Sequence, residues 1–149
     1  MSCNHSYVLQ AQRMPQNDLL YSCSHFPQYL AVYYHRSAAR QEDKGRWAIT
    51  VEQEAHRFYC AYDNQNKSDL YPGLWHIESG NTLIGTDGEV IAFFPAPINP
   101  QDFWHGYPFS FGRKAPKARI RALKETAENL FLIKKISLSR IKKIRNGSL

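Results

Sequence analysis

Cysteine is scarce in this chain. Cys3, Cys23 and Cys60 are the only three, too few and too odd in number for a disulfide framework. No apolar run approaches the roughly 18 residues that a membrane helix requires. The opening MSCNHSYVLQAQRM has no basic segment followed by an apolar one, as a secretory signal would. These absences predict a reduced, soluble, cytoplasmic protein that makes no membrane contact. The nucleotide fingerprints G-x-x-x-x-G-K-[ST] and G-x-G-x-x-G are missing too, and GNTLIGTDG lacks the strand-to-helix setting of a phosphate loop. There is no G-x-S-x-G elbow and no H-E-x-x-H. A kinase, a dehydrogenase, an elbow-type hydrolase and a zinc protease are all disfavoured. No cofactor is expected.

Metal fares little better. Cys3-Asn4-His5 and Cys23-Ser24-His25 make a formal Cys₂His₂ set. Familiar structural zinc sites instead use Cys-x₂₋₄-Cys and His-x₃₋₅-His, spacings that wrap a tetrahedral ion. No metal is expected from these pairs.

What the chain does have is apolar residues, rings and a lopsided charge. With 43% hydrophobic and 21% charged residues, the 149 residues read as one folded domain with a core of its own. The net charge of +6 divides unevenly. From Arg113 to Arg145 twelve Lys and Arg face only Glu125 and Glu128, a surplus of +10. The remainder holds seven basic and eleven acidic residues, a deficit of −4. A mildly acidic body with a basic helical part at about 113–147 points to an anionic partner, either nucleic acid or an acidic protein surface.

The periodicities predict an α+β domain spanning 1–149. SYVLQAQ suits an edge strand and MPQND a turn. FPQYLAVYYHRSAARQ reads as an N-terminal helix, with Pro27 in its first turn and Leu30, Tyr33, Tyr34 and Ala38 at helical spacing. From Arg46 the period changes to two. RWAITVEQ aligns Trp47, Ile49 and Val51, and HRFYCAY aligns Phe58, Cys60 and Tyr62. LWHIE, TLIG and EVIAFF continue this central antiparallel meander, with Asp87-Gly88 as a hairpin signal. Pro95 to Lys114 reads as a Pro- and aromatic-rich loop of about twenty residues, a length that tends to be functional or self-packed. Two basic helices follow, one through Ile120, Leu123, Ala127 and Leu130, the other through Leu138, Ile141 and Ile144 and stopped by Asn146-Gly147.

Three places could carry function. His105 lies in DFWHGYPFSFG between Trp104 and Tyr107, on a backbone bent by Gly106 and extended by Pro108. Histidine titrates near neutral pH, so His105 is a candidate acid or base. His76 and Glu78 share a strand face. If they met His105 and a tail cation, they would supply the acid, base and phosphate clamp of a metal-independent ribonuclease. The basic helices are the strongest signal. Lys117, Arg121 and Lys124 on the first, with Arg140, Lys142, Lys143 and Arg145 on the second, could neutralise several phosphates.

LKETAENLF followed by ISLSRIKKIRNG resembles fragments of the helix-turn-helix of the Xre repressor class, over about twenty-five residues. A longer insertion separates the two pieces, and Phe131 stands where the turn glycine would be. The resemblance implies that Ser137, Ser139, Arg140 and Lys143 face a major groove.

The leading expectation is therefore a basic protein that binds nucleic acid, or another anionic partner, through its C-terminal helices. The alternatives are a toxin-like ribonuclease using His105, and an immunity- or antitoxin-type protein that neutralises a protein partner.

Overall fold

The computed structural model describes residues 7–33, 45–112 and 115–149. Among these the fold is α+β, with three α-helices and two three-stranded antiparallel sheets. The first sheet joins β1 (Gln10–Arg13), β2 (Leu19–Ser22) and β3 (Tyr29–Ala31) in that order. A short 3₁₀ turn over Pro15–Asn17 links β1 to β2. The second sheet joins β4 (Gly73–Ile77), β5 (Ile91–Pro95) and β6 (Tyr107–Phe109), again in chain order. Helix α1 (Val51–Asp63) lies between the sheets in sequence; α2 (Lys117–Leu132) and α3 (Leu138–Asn146) close the chain.

The second sheet organises the molecule because both its faces are buried. Trp75, Ile77, Ile91, Phe93, Tyr107 and Phe109 point to one side, where Leu123, Ala127 and Leu130 of α2 and Ile141 and Ile144 of α3 cover them. Leu74, Ala92 and Phe94 point to the other, against Ala55, Phe58 and Tyr59 of α1 and against Tyr21, Tyr29 and Ala31 of the first sheet. Such strands read as continuous apolar runs, as IAFF does.

Residues 46–62 correct the strand expectation. Trp47 makes only an isolated bridge to Gly85, and Val51–Asp63 is a helix. The reason is a capping box: Thr50 Oγ1 accepts from the Gln53 N–H at 3.1 Å, and Gln53 Oε1 accepts from the Thr50 N–H at 2.9 Å. Glu52 and Glu54 in the first turn favour the positive end of the helix. Ala55, Phe58, Tyr59 and Tyr62 then recur at helical spacing toward the core. A short stretch that is apolar on several sides satisfies period two by accident.

The N-terminal helix expectation also gives way where it can be seen. Tyr29–Ala31 is strand β3, its middle residue Leu30 paired with Leu20; residues 34–44 of that segment lie outside the described residues. TLIG is not a strand, although Ile84 exchanges backbone bonds with Ala48 and Glu89. The long loop contains β6, with Pro108 on the edge strand of its sheet, where a missing N–H is tolerated. The Pro108 carbonyl accepts from the Gly45 N–H at 3.1 Å.

The two C-terminal helices stand close to where the spacing puts them. Lys134, at φ +61°, takes the left-handed position after α2, with the Schellman bond from the Lys135 N–H to the Leu130 carbonyl at 2.8 Å. Ser137 caps α3. Ile141 and Ile144 are buried as expected, whereas Leu138 is half exposed.

Gly106 sits where β6 presses against β5: a Cβ there would lie 2.2 Å from the Phe94 ring and 2.8 Å from the Phe93 carbonyl oxygen. Gly80 has nothing within 4 Å of that position. Gly106→Ala should therefore cost about 2 kcal/mol through overpacking, while Gly80→Ala stays within roughly 0.5 kcal/mol. Urea midpoints of the two variants check the contrast.

Candidate functional site

Two constellations concern the predicted residues: a polar network inside the α1 face of the sheet, and the cationic exterior of α2 and α3. The network forms because His76 on β4 and Glu78, one residue past its end, lie two apart on the side that faces α1. His76 Nε2 contacts Glu78 Oε2. Arg57, one turn after Gln53 on α1, reaches the same carboxylate, with Nε 3.4 Å from Oε2 and an NH2 nitrogen 3.2 Å from Oε1. His76 is 3% exposed and Glu78 8%. The other imidazole nitrogen of His76, Nδ1, is buried without a hydrogen-bond partner.

Burial dominates His76 and holds its pKa below the ordinary 6.5, although Glu78 pulls the other way. Its imidazole is neutral at neutral pH. Burial alone would raise Glu78, but hydrogen bonds from His76 and Arg57 and the Arg57 charge prevail and push it down to about 2. Glu78 is therefore an anion, and the Arg57 guanidinium is its charged partner. This places an ion pair against an otherwise apolar sheet.

His105 stands elsewhere. His76, Ala92 and Pro108 lie in register across the sheet, so β5 stands between His76 and β6, and His105 lies in the loop before β6. Its neighbours in DFWHGYPFSFG are mostly packing residues. Tyr107 and Phe109 are buried against Trp75 and Phe93. Trp104 is clamped to β3, its N–H donating to the Gln28 carbonyl at 3.1 Å and its carbonyl accepting from the Leu30 N–H at 2.7 Å.

The C-terminal cations divide into tethered and open groups. Arg145 forms a two-pronged pair with Glu128 across the α2–α3 contact, at 2.6 and 2.8 Å. This pair holds the Glu128 carboxyl below its usual range and raises the Arg145 guanidinium. Arg140 donates to the Gly80 carbonyl at 2.6 Å, and Lys124 Nζ lies 6.0 Å above the Phe111 ring. Lys117, Arg121, Lys142 and Lys143 are exposed, as are Lys134 and Lys135 in the turn. Of the groove-facing set implied by the helix-turn-helix resemblance, Ser137 is engaged as a cap and Arg140 is turned toward Gly80.

Two arginines escaped the sequence reading. Arg57 was hidden by taking α1 for strand. Arg119 points inward: its guanidinium donates to the Tyr107 hydroxyl at 2.7 Å and the Tyr71 hydroxyl at 3.2 Å, and lies over the Tyr71 and Phe93 rings. Its signal was its place two residues from Arg121, which turns it to another side of the helix. For metal, Cys3 and His5 lie outside the described residues; Cys23 is a buried free thiol. No group of three or more His, Cys, Asp or Glu is gathered for an ion among the described residues.

Glu78→Gln should destabilise the fold by about 2 kcal/mol, less than a fully enclosed pair would lose, because Arg57 keeps 20% of its side chain exposed. The pH dependence has a definite sign. The unfolded chain protonates His76 below about 6.5 while the folded chain resists, so stability falls as pH drops from 7 toward 5. A second loss follows between about 4.5 and 2 as Glu78 takes a proton. Unfolding curves against pH should show the first loss flattened in His76→Gln. No family model matches this chain, and no curated protein or solved structure matches it significantly.

Proposed function

We propose that this protein binds an anionic partner, nucleic acid above all, through the exposed cations of α2, α3 and the turn between them. The observation that carries this reading is the bridge between Arg145 and Glu128. Lys142 lies one helical turn before Arg145, and Arg121 two turns before Glu128, so the pair draws the basic sides of both helices together. The apolar sides of the helices are occupied by the sheet, which leaves Lys117, Arg121, Lys142 and Lys143 facing solvent. Glu128, which pairs with Arg145, comes from the same region.

A second reading has its own observation. Leu132, Ile133 and Leu138 are 75%, 63% and 52% exposed at the α2–α3 corner, beside Lys134 and Lys135. An apolar patch rimmed by cations suits an acidic protein partner of the kind an immunity or antitoxin protein engages.

A salt titration against single-stranded RNA and duplex DNA, with each mixture also run on a denaturing gel, tests both. With four to six phosphates neutralised, log K against log salt should slope roughly −3 to −4 on a single strand. Lys142→Glu with Lys143→Glu should flatten that slope by about 1.4 or more, and His105→Ala should leave it unchanged. No binding, with capture of one acidic protein that Leu138→Asp abolishes, would favour the second reading. Cleavage that vanishes in His105→Ala would replace both with a nuclease.

A further inference from the structure

We infer that the cleft beside Trp104, at the open end of the α1–β4 connection, binds a nucleobase of a single strand, with the Trp104 indole as the stacking surface. This rests on the nucleic-acid reading above and adds a site that the basic helices do not contain.

The cleft has a volume of about 430 Å³ and is walled by Tyr62, Trp104 and Leu74, with Gln65, Lys67 and Asp69 at its polar side. That size falls within the range of small-molecule sites. The two ring walls stand nearly at right angles, centroids 6.1 Å apart at 81°. A flat heteroaromatic ring laid on one wall therefore presents its edge to the other, the arrangement that aromatic quadrupoles favour. An aliphatic chain would gain nothing from that angle.

The stacking surface is fixed before any ligand arrives. Both backbone groups of Trp104 are bonded, to Gln28 just before β3 and to Leu30 within it, and its ring packs on Phe58 with centroids 5.4 Å apart. The rim is fixed too: the Asn66 N–H bonds the Ala61 carbonyl, and the Trp75 N–H bonds the Asn66 carbonyl at 2.8 Å. Little ordering remains to oppose binding. The Gln65 amide spends one N–H on the Tyr62 carbonyl at 2.6 Å; its carbonyl oxygen and second N–H, with the Asp69 carboxylate, offer the mixed donors and acceptors that a base edge requires, and Lys67 offers a cation for the attached phosphate.

The cleft also adjoins the cationic stripe. Ser68, in its wall, donates to Glu125 of α2 at 2.7 Å. Arg121 stands one turn before Glu125 and Lys117 one turn earlier, so the cations follow within about 12 Å of Glu125 along α2. Glu125 and Asp69 are the acids on this path, so the phosphates belong with Lys67 and Arg121 rather than over Ser68. Stacking on aromatic side chains with a cationic track for the backbone is how proteins hold single strands without reading their sequence.

The protein carries its own reporter. Trp47 and Trp75 are 3% and 0% exposed, so quenching by a bound base reports Trp104. The test titrates the full chain with an oligothymidylate of ten residues, an abasic deoxyribose-phosphate strand of the same length, and thymidine monophosphate. The expected result is quenching by the oligothymidylate and roughly tenfold tighter binding than the abasic strand. Trp104→Phe should shrink that advantage, and Lys67→Glu, on an exposed side chain, should weaken binding of the base-bearing strand without touching the fold. Equal affinity for both strands without quenching overturns the base site and leaves the helix reading standing. Quenching by the mononucleotide with no strand binding keeps the base site and overturns its source in a strand. Failure of all three probes overturns the base site and single-stranded DNA as the partner, and failure of the RNA and duplex titration as well overturns the nucleic-acid reading.

Discussion

A three-stranded sheet covered on both faces has no polar side to spare, and that constraint governs this molecule. β4 and β5 must be apolar at nearly every position, and α1 must come down on one face while α2 and α3 close the other. Rings do most of the filling. Trp75, Phe93, Tyr107 and Phe109 interlock on one side; Phe58, Tyr29, Phe94 and Trp47 interlock on the other. Gly106 is needed because the backbone of β6 must approach the Phe94 ring more closely than a Cβ allows.

The same constraint explains the polar exceptions. His76 occupies an α1-facing position in a strand with no room for an isolated charge, so it is neutral and leans on Glu78. Glu78 would be costly there alone and is matched by Arg57. Glu54, buried beneath the first sheet, accepts from the Tyr29 hydroxyl. Arg119 is held by two tyrosine hydroxyls and two ring faces rather than by an acid. These groups fit two layers together. His76 and Glu78, which sequence spacing offered as acid and base, meet as part of that fitting, with His105 in the loop before β6.

What could be read in advance depended on how far each segment reports its own environment. α2 and α3 announce themselves because one side stays wet, giving a clean 3.6-residue stripe and a left-handed stop at Gly147. IAFF reads as a strand because continuous burial leaves an unbroken apolar run. α1 does not announce itself, since it packs between both sheets and its rings spread beyond one stripe. The cue that overrules its false alternation is the Thr50–Gln53 box, a local hydrogen-bond exchange with no hydrophobic signature. β3 is short and takes its identity from β2 and from Trp104, whose pairing with Tyr29 spans the length of the chain between them. Neither the Trp104 cleft nor the inward turn of Arg119 could be seen without those distant partners.

Charge is where the fold and the proposed activity meet. Once the sheet has claimed the apolar sides of α2 and α3, Lys117, Arg121, Lys142 and Lys143 are left on the outer surface, while Arg119 turns inward. Neutralising them within the chain would require acids from the body, yet Glu78 is committed to Arg57 and His76, and Glu54 is buried under the first sheet. Among the described residues, an acid that reaches a C-terminal arginine, Glu128, belongs to α2 itself. Arg119 meets neutral hydroxyls, which orient its charge without cancelling it. Under the proposed function, the +10 surplus between Arg113 and Arg145 would be met by an anionic partner. Polyanions answer such a surplus by releasing their own counterions. A cleft that holds one base beside the cations would then fix where along the strand that exchange takes place.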